Sequence, residues 1–173
     1  AEFKKVKEFI EEAKLELTHE GKAFAEDVQV GIMVETPAAA IMTPVLAKYV
    51  DFFSIGTNDL VQYTLACDRG NANIAYLYNH FNPAVLRLIQ RTITSARENG
   101  IWAGMCGEMA SDPNAAVLLM AMGISELSMS APSIPRVKEK IRNISSIKAK
   151  EILADVMEME DGDEIKAYLA KIV

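Results

Sequence analysis

The sequence predicts an α/β protein with a parallel sheet, and three observations lead there. Four short apolar runs, at residues 28–34, 49–55, 101–105 and 126–129, alternate with segments of helical periodicity. The first three runs each stop at a polar turn: Glu35-Thr36-Pro37, Gly56-Thr57-Asn58-Asp59 and Cys106-Gly107-Glu108. No internal repeat of fixed period competes with this alternation. Two architectures satisfy the pattern, a small doubly wound sheet or four of the eight units of a β/α barrel. Periodicity does not choose between them.

The elements follow in chain order. Phe3, Val6, Ile10, Ala13 and Leu17 recur at helical spacing and predict an amphipathic helix over 2–18, ended by Glu20-Gly21-Lys22. Val28 to Val34 is β-branched and nearly all apolar, which predicts a strand buried on both faces. A helix is expected from Ala39 or Thr43 to Lys48, with Pro44 suited to its first turn because that turn leaves its N–H groups unpaired anyway. The strand from Tyr49 to Ile55 leads through Gly56–Asp59 into a helix over 60–66, and Asp68-Arg69-Gly70-Asn71 is turn chemistry. Asn82-Pro83 opens a long helix to Glu98, with Leu86, Ile89, Ile93 and Ala96 on one face and Asn99-Gly100 as its C-terminal stop. After the strand at 101–105, Asp112-Pro113 starts a helix that Gly123 ends. The last short strand, 126–129, precedes a helix from Ser133-Ile134-Pro135 to about Arg142. Ser146 is expected to cap a helix to Met157, and an acidic linker leads to a final helix ending near Ile172. The organisation is therefore a helix and linker over 1–27, four strand/helix units over 28–143, and C-terminal helices over 144–173.

Composition limits the function classes. The 173 residues are 50% hydrophobic and 24% charged, ordinary for a globular chain and incompatible with disorder. Two Cys cannot staple a fold of this length. The net charge of −6 argues against nucleic acid as a partner. No apolar run is long enough for a membrane span, and Ala1-Glu2-Phe3-Lys4-Lys5 lacks the apolar stretch of a secretory signal, so a reducing, cytoplasmic setting is expected. Residues 144–173 hold seven acids, from Glu151 to Glu164, against four Lys, half of the net charge, which leaves the remainder balanced enough for a cationic pocket.

In parallel α/β folds the chemistry lies outside the carboxyl ends of the strands. Here those ends bring a carboxylate (Glu35), an amide and a carboxylate (Asn58, Asp59) and a thiol (Cys106) to one rim. Glu35 and Asp59 can each be read as favourable charges at a helix N-terminus, Asp59 also as a cap. As a pair they read as hard oxygen ligands of the kind Mg²⁺ uses together with water and substrate phosphate. Gly56 would let backbone approach an anion, or simply make a strand-to-helix turn. Arg69 is either a solvated surface residue or a forked grip on phosphate or carboxylate. Cys106 is either a small buried hydrophobe or, with a thiol kept neutral by nearby anions, a general acid. Cys67 reads as structural, and neither His19 nor His80 has an obvious site context.

Longer stretches carry a resemblance. Asp51-Phe52-Phe53-Ser54-Ile55-Gly56-Thr57-Asn58-Asp59-Leu60-Val61-Gln62-Tyr63-Thr64-Leu65-Ala66-Cys67-Asp68-Arg69 resembles the signature of phosphoenolpyruvate-utilising enzymes. Met33-Val34-Glu35-Thr36-Pro37-Ala38-Ala39-Ala40 and Gly104-Met105-Cys106-Gly107-Glu108-Met109-Ala110 match that family in order and spacing. With Ser128-Met129-Ser130 and Ser133-Ile134-Pro135 the chain is most similar to the Enzyme I family of the bacterial sugar phosphotransferase system, and less so to pyruvate phosphate dikinase and phosphoenolpyruvate synthase. The resemblance covers nearly the whole chain.

It implies a TIM-type β/α barrel that binds phosphoenolpyruvate and Mg²⁺ and dimerises. Carried over by position, Glu35 and Asp59 would hold Mg²⁺. Asn58 and Arg69, helped by backbone at or near Met105, would hold phosphoenolpyruvate. Cys106 would handle the proton at the methylene carbon as pyruvate forms. The phosphoryl group would pass to a His of a separate phosphohistidine domain and then to the carrier protein HPr. By family order this chain would be the C-terminal half of the barrel, its last four β/α units. It would lack the upstream arginines that grip phosphate and the acceptor His, be inactive alone, and associate as a homodimer or with a partner half-barrel. Two other readings stand beside this one: a non-catalytic half-barrel association module, or another phosphoenolpyruvate or pyruvate enzyme, such as pyruvate phosphate dikinase or a Mg²⁺-dependent, aldolase-like lyase.

Overall fold

A computed structural model describes residues 2–173, which form two compact units, one ending at residue 30 and the other spanning residues 31–173. In the first unit, α1 (Glu2–His19) realises the periodicity of Phe3 to Leu17, but none of its residues is buried. Lys14 Nζ donates to Glu11 Oε1 and to the Glu26 carbonyl, both at 3.1 Å, and so ties the segment after the helix back to it.

The second unit is built on four parallel strands, β1 (Ile32–Val34), β2 (Phe52–Gly56), β3 (Trp102–Cys106) and β4 (Glu126–Leu127). Their order in the sheet is the order in the chain, with no reversal point. Connecting them are α2 (Pro37–Leu46), α3 (Thr57–Leu65), α4 (Pro83–Glu98) and α5 (Pro113–Met122). The chain ends with α6 (Ile134–Arg142), α7 (Ser146–Glu158) and α8 (Gly162–Ile172). The four strand/helix units thus form as the alternation predicts.

Strand residues alternate between two faces. Phe53, Ile55, Ala103 and Met105 turn toward the helices and are buried. On that side α5 lies inside the protein, since every residue from Ala115 to Leu119 is buried, as its apolar character all round requires. Truncating Leu118 to Ala should cost about 2–5 kcal/mol through lost contacts and a residual cavity. Thr43 and Ser95, both buried, bond hydroxyl to hydroxyl at 3.0 Å and join α2 to α4. On the other face Phe52 and Trp102 stack at 4.3 Å between centroids, Met33 is 47% exposed and Glu126 is exposed.

Several expectations need correction. The first strand is only Ile32–Val34, and it is buried on one face rather than two. At Gly31 the Phe52 ring lies 2.4–2.6 Å from where a Cβ would be, so this position serves ring packing. The second helix starts earlier than expected, capped by Thr36, whose hydroxyl accepts the Ala39 N–H at 3.2 Å, with Pro37 in the first turn. Pro44 therefore lies inside the helix, where its missing N–H would strand the Ala40 carbonyl. The Thr43 hydroxyl donates to that carbonyl at 2.8 Å and repairs the gap. Ser145, not Ser146, caps α7 by accepting the Lys148 N–H at 3.1 Å.

Candidate functional site

The carboxyl ends of β1, β2 and β3 open onto one rim. Val34 pairs with Ile55 and Ile55 with Met105, so the next residues, Glu35, Gly56 and Cys106, stand in a row. Gly56 lets Glu35 lie close: a Cβ on Gly56 would come within 3.1 Å of Glu35 Oε2 and 3.0 Å of Met33 Sδ. β2 runs directly into α3, and Gly56 caps that helix with no side-chain hydrogen bond. Asp59 therefore occupies the first helical turn without serving as the cap. Glu35 and Asp59 come from adjacent strand ends, and the hollow at Gly56 is where their shared rim begins.

Asn58 faces β3. Its Oδ1 accepts the Glu108 N–H at 3.0 Å, which fixes the amide so that Nδ2 remains the donating end. Thr57 Oγ1 donates to the Cys106 carbonyl at 3.0 Å, a second strut between the two strand ends. Between them Gly107 adopts φ +104, and a Cβ there would fall 2.4 Å from Thr57 Oγ1 and 3.0 Å from Asn58 Oδ1. Cys106 Sγ lies on the open face, 3.8 Å from the donating Ser54 hydroxyl and 3.7 Å from both the Ile55 carbonyl and Met33 Sδ. Met105 is buried on the helix side, and its carbonyl accepts the Ser128 N–H at 2.8 Å, so its contribution to the rim is through the turn that follows it. Cys67 is buried, as its structural reading expects.

Arg69 sits in the loop between α3 and α4, its N–H donating to Gln62 Oε1 at 3.2 Å. Tyr78 comes back from the same loop and donates its hydroxyl to the Asn58 carbonyl at 3.3 Å. Burial, then the charge of Glu108, push the Tyr78 phenol above its usual pKa; Arg69, by charge and hydrogen bonding, pulls the other way, and Asp59 adds to the rise. The sum leaves the phenol protonated at neutral pH and able to donate. This residue was not legible in the sequence, where the only hint was an aromatic residue in an Asn-rich loop. Gly107 could have been suspected, because Gly directly after a strand marks close backbone approach. His80, without a site context in sequence, lies with Nε2 3.4 Å from Asp112 Oδ2, away from the rim residues.

The donor set suits a cation that shares its ligands with substrate. Among the described residues there is no cluster of three or more His, Cys, Asp or Glu that could cage a metal. Two carboxylates beside adjacent strand ends are the kind of oxygen donors Mg²⁺ takes together with phosphate and water, and a Cβ on Gly56 would crowd one of them, Glu35. Among the described residues no helix is long and apolar enough to cross a membrane.

Comparison with known proteins shows the family. The family described as PEP-utilising enzyme, PEP-binding domain, matches residues 1–146. A phosphoenolpyruvate-protein phosphotransferase of Haemophilus influenzae is 54% identical over 154 residues, covering 89% of this chain and 27% of the relative. Proteins of the same name from Mycoplasma capricolum and Enterococcus faecalis are 48% and 49% identical, covering 95% and 97% of this chain and 29% of each relative. The chain thus spans less than a third of the length of these relatives.

Proposed function

The chain belongs to the PEP-utilising enzymes through their PEP-binding domain, and on that premise we propose that it supplies half of a β/α barrel active site for phosphoenolpyruvate. The longer protein would be a cytoplasmic phosphoenolpyruvate-protein phosphotransferase. It would pass the phosphoryl group to a His of a separate phosphohistidine domain and on to HPr in a sugar phosphotransferase system, releasing pyruvate.

The observation that supports this reading is the register that sets Glu35, Gly56 and Cys106 in a row, with α3 carrying Asn58 and Asp59 on from Gly56 and the Asn58–Glu108 and Thr57–Cys106 hydrogen bonds bracing two strand ends. The unbroken strand order supports half of an eight-stranded barrel over a doubly wound sheet, whose order reverses at a switch point. Glu35 and Asp59 would hold Mg²⁺. When bound, the ion neutralises developing charge on phosphate and enolate oxygens. Asn58 Nδ2 donates to substrate oxygens, and Arg69, with backbone near Met105, grips the anion. Cys106 delivers the proton to the methylene carbon. Replacing Asp59 by Ala in the full-length enzyme should abolish Mg²⁺-dependent phosphotransfer, and unchanged Mg²⁺ dependence would defeat the assignment.

The half-buried Phe52–Trp102 stack and the exposed Met33 favour a second reading for the chain by itself: an association module, without turnover, that pairs with a partner half-barrel or a second copy. Its solution mass, with and without the complementary half, tests this. Pyruvate release by the purified chain above a Glu35→Ala control would exclude it.

A further inference from the structure

Resting on the reading of Asn58 and Arg69 as substrate-holding residues, we propose that Tyr78 is a positioning residue that holds both in one cradle. The Arg69 N–H is tied to Gln62 of α3, and the bonds that follow it in the loop are local: Asp68 Oδ1 accepts the Gly70 N–H at 2.8 Å, and Asn71 Oδ1 accepts the Asn73 N–H at 3.0 Å. Such turns shape the loop but do not fix it against the strand ends. Tyr78 does. It follows the single 3₁₀ turn Ala75–Leu77 and reaches back to the first turn of α3, where its hydroxyl donates to the Asn58 carbonyl. Arg69, on the same loop, lowers the phenol's pKa by charge and hydrogen bonding, against burial and the charges of Glu108 and Asp59, which raise it.

The Tyr78 hydroxyl therefore ties the loop that carries Arg69 to Asn58, whose side chain is already set by the Glu108 N–H, and the influence of Arg69 on the phenol fits a guanidinium held beside it. An Arg side chain loses considerable rotamer freedom when it closes on an anion, and a partner that holds it beforehand reduces that loss. Tyr78 has no proton to give the substrate and no place among the metal carboxylates. Its contribution is to how tightly phosphoenolpyruvate is held, through Arg69.

The test uses a full-length phosphoenolpyruvate-protein phosphotransferase carrying this segment, with pyruvate release measured against phosphoenolpyruvate concentration. Tyr78→Phe keeps the ring and removes one oxygen. It should raise KM about tenfold, equivalent to about 1.4 kcal/mol, and lower kcat far less. Arg69→Ala should raise KM more, and adding Tyr78→Phe to it should do nothing further, because the phenol acts through the guanidinium. Additive effects of the two substitutions, or a fall in kcat with KM unchanged, would overturn the proposal. So would an unchanged KM in Tyr78→Phe beside a raised KM in Arg69→Ala, which would leave the site assignment intact. An unchanged KM in Arg69→Ala would overturn the site assignment and this inference together.

Discussion

Asn58 Oδ1 accepts the Glu108 backbone N–H at 3.0 Å, so a side chain from the β2 end is fixed by backbone from the β3 end. The pairing decides what Asn58 can offer: its oxygen is engaged and its NH₂ group is the end left for an anion. Asn58→Asp keeps an oxygen for Glu108 but replaces the donor by a charge of the wrong sign beside Glu35 and Asp59. A hydrogen bond to a charged group is worth about 1.5–3 kcal/mol, so KM for phosphoenolpyruvate in the full-length enzyme should rise by roughly 10- to 150-fold. The unfolding midpoint of this chain should move little. Steady-state kinetics and thermal unfolding check the two halves of that expectation.

Gly107 stands where the two strand ends touch. Its φ of +104 disfavours any L side chain, and an added Cβ would sit 2.4 Å from Thr57 Oγ1. Gly107→Ala should therefore push apart the Thr57–Cys106 and Asn58–Glu108 bonds. Strain of this kind costs about 1–3 kcal/mol, readable as a lowered urea midpoint at unchanged slope. Wild-type stability in the variant would mean that the turn relaxes without cost.

What the sequence made legible follows from what sequence can encode. Asp112 and Gly123 bound their helix as expected, because caps and stops are local chemistry: Asp112 Oδ1 accepts the N–H groups of Asn114 and Ala115, and Gly123 takes φ +95. That Glu35, Gly56 and Cys106 stand at or just beyond strand ends was readable, because an apolar run that stops at a polar turn marks a strand end. The length of β1 was not, since an apolar run does not reveal that the Phe52 ring crosses Gly31 or that one face stays open. Pro44 misled because its repair comes from the Thr43 hydroxyl, a contact with no sequence signature. Tyr78 reaches Asn58 from twenty residues away, past the rest of α3 and the loop after it, and no periodicity marks such a contact.

Asp112 links helix capping to acid stability. Burial alone would raise its pKa, but the His80 contact and the amides of Ala115 and Asn114 outweigh burial and hold it below the usual 3.8. A carboxyl depressed in the folded state binds its proton more readily when unfolded. Its stabilisation is thus complete above about pH 4 and is lost as pH falls through the folded value. Asp112→Asn keeps the cap oxygen and should flatten the acid limb of the unfolding free energy against pH. Asp112→Ala should also cost about 1 kcal/mol at neutral pH through the lost cap. Urea unfolding of this chain between pH 2.5 and 7, a range of roughly the width that linkage requires, reads both. An acid limb as steep in Asp112→Asn as in the parent would count against the linkage.

Cys106 presents Sγ on the open face at the rim, with the Ile55 carbonyl 3.7 Å away to accept its proton and the Ser54 hydroxyl 3.8 Å away to donate to it. A thiol that donates at the rim has the chemistry a general acid needs. On the proposed reading, phosphoryl departure would leave an enolate whose methylene carbon must gain a proton, and Cys106 would supply it, since metal and anion are assigned to other rim residues. Cys106→Ala should therefore leave binding intact in the full-length enzyme and slow pyruvate formation by about 10²–10⁴-fold, the usual range for a general acid. Cys106→Ser makes the expectation sharper. It restores the hydrogen bonds to Ile55 and Ser54 but, as a far weaker acid, should not restore turnover. Equilibrium binding of Mg²⁺ and phosphoenolpyruvate, beside single-turnover pyruvate release, separates the steps. Wild-type release in either variant, or a defect traced wholly to lost binding, would return Cys106 to the role of a packing thiol between Met33 and Ser54.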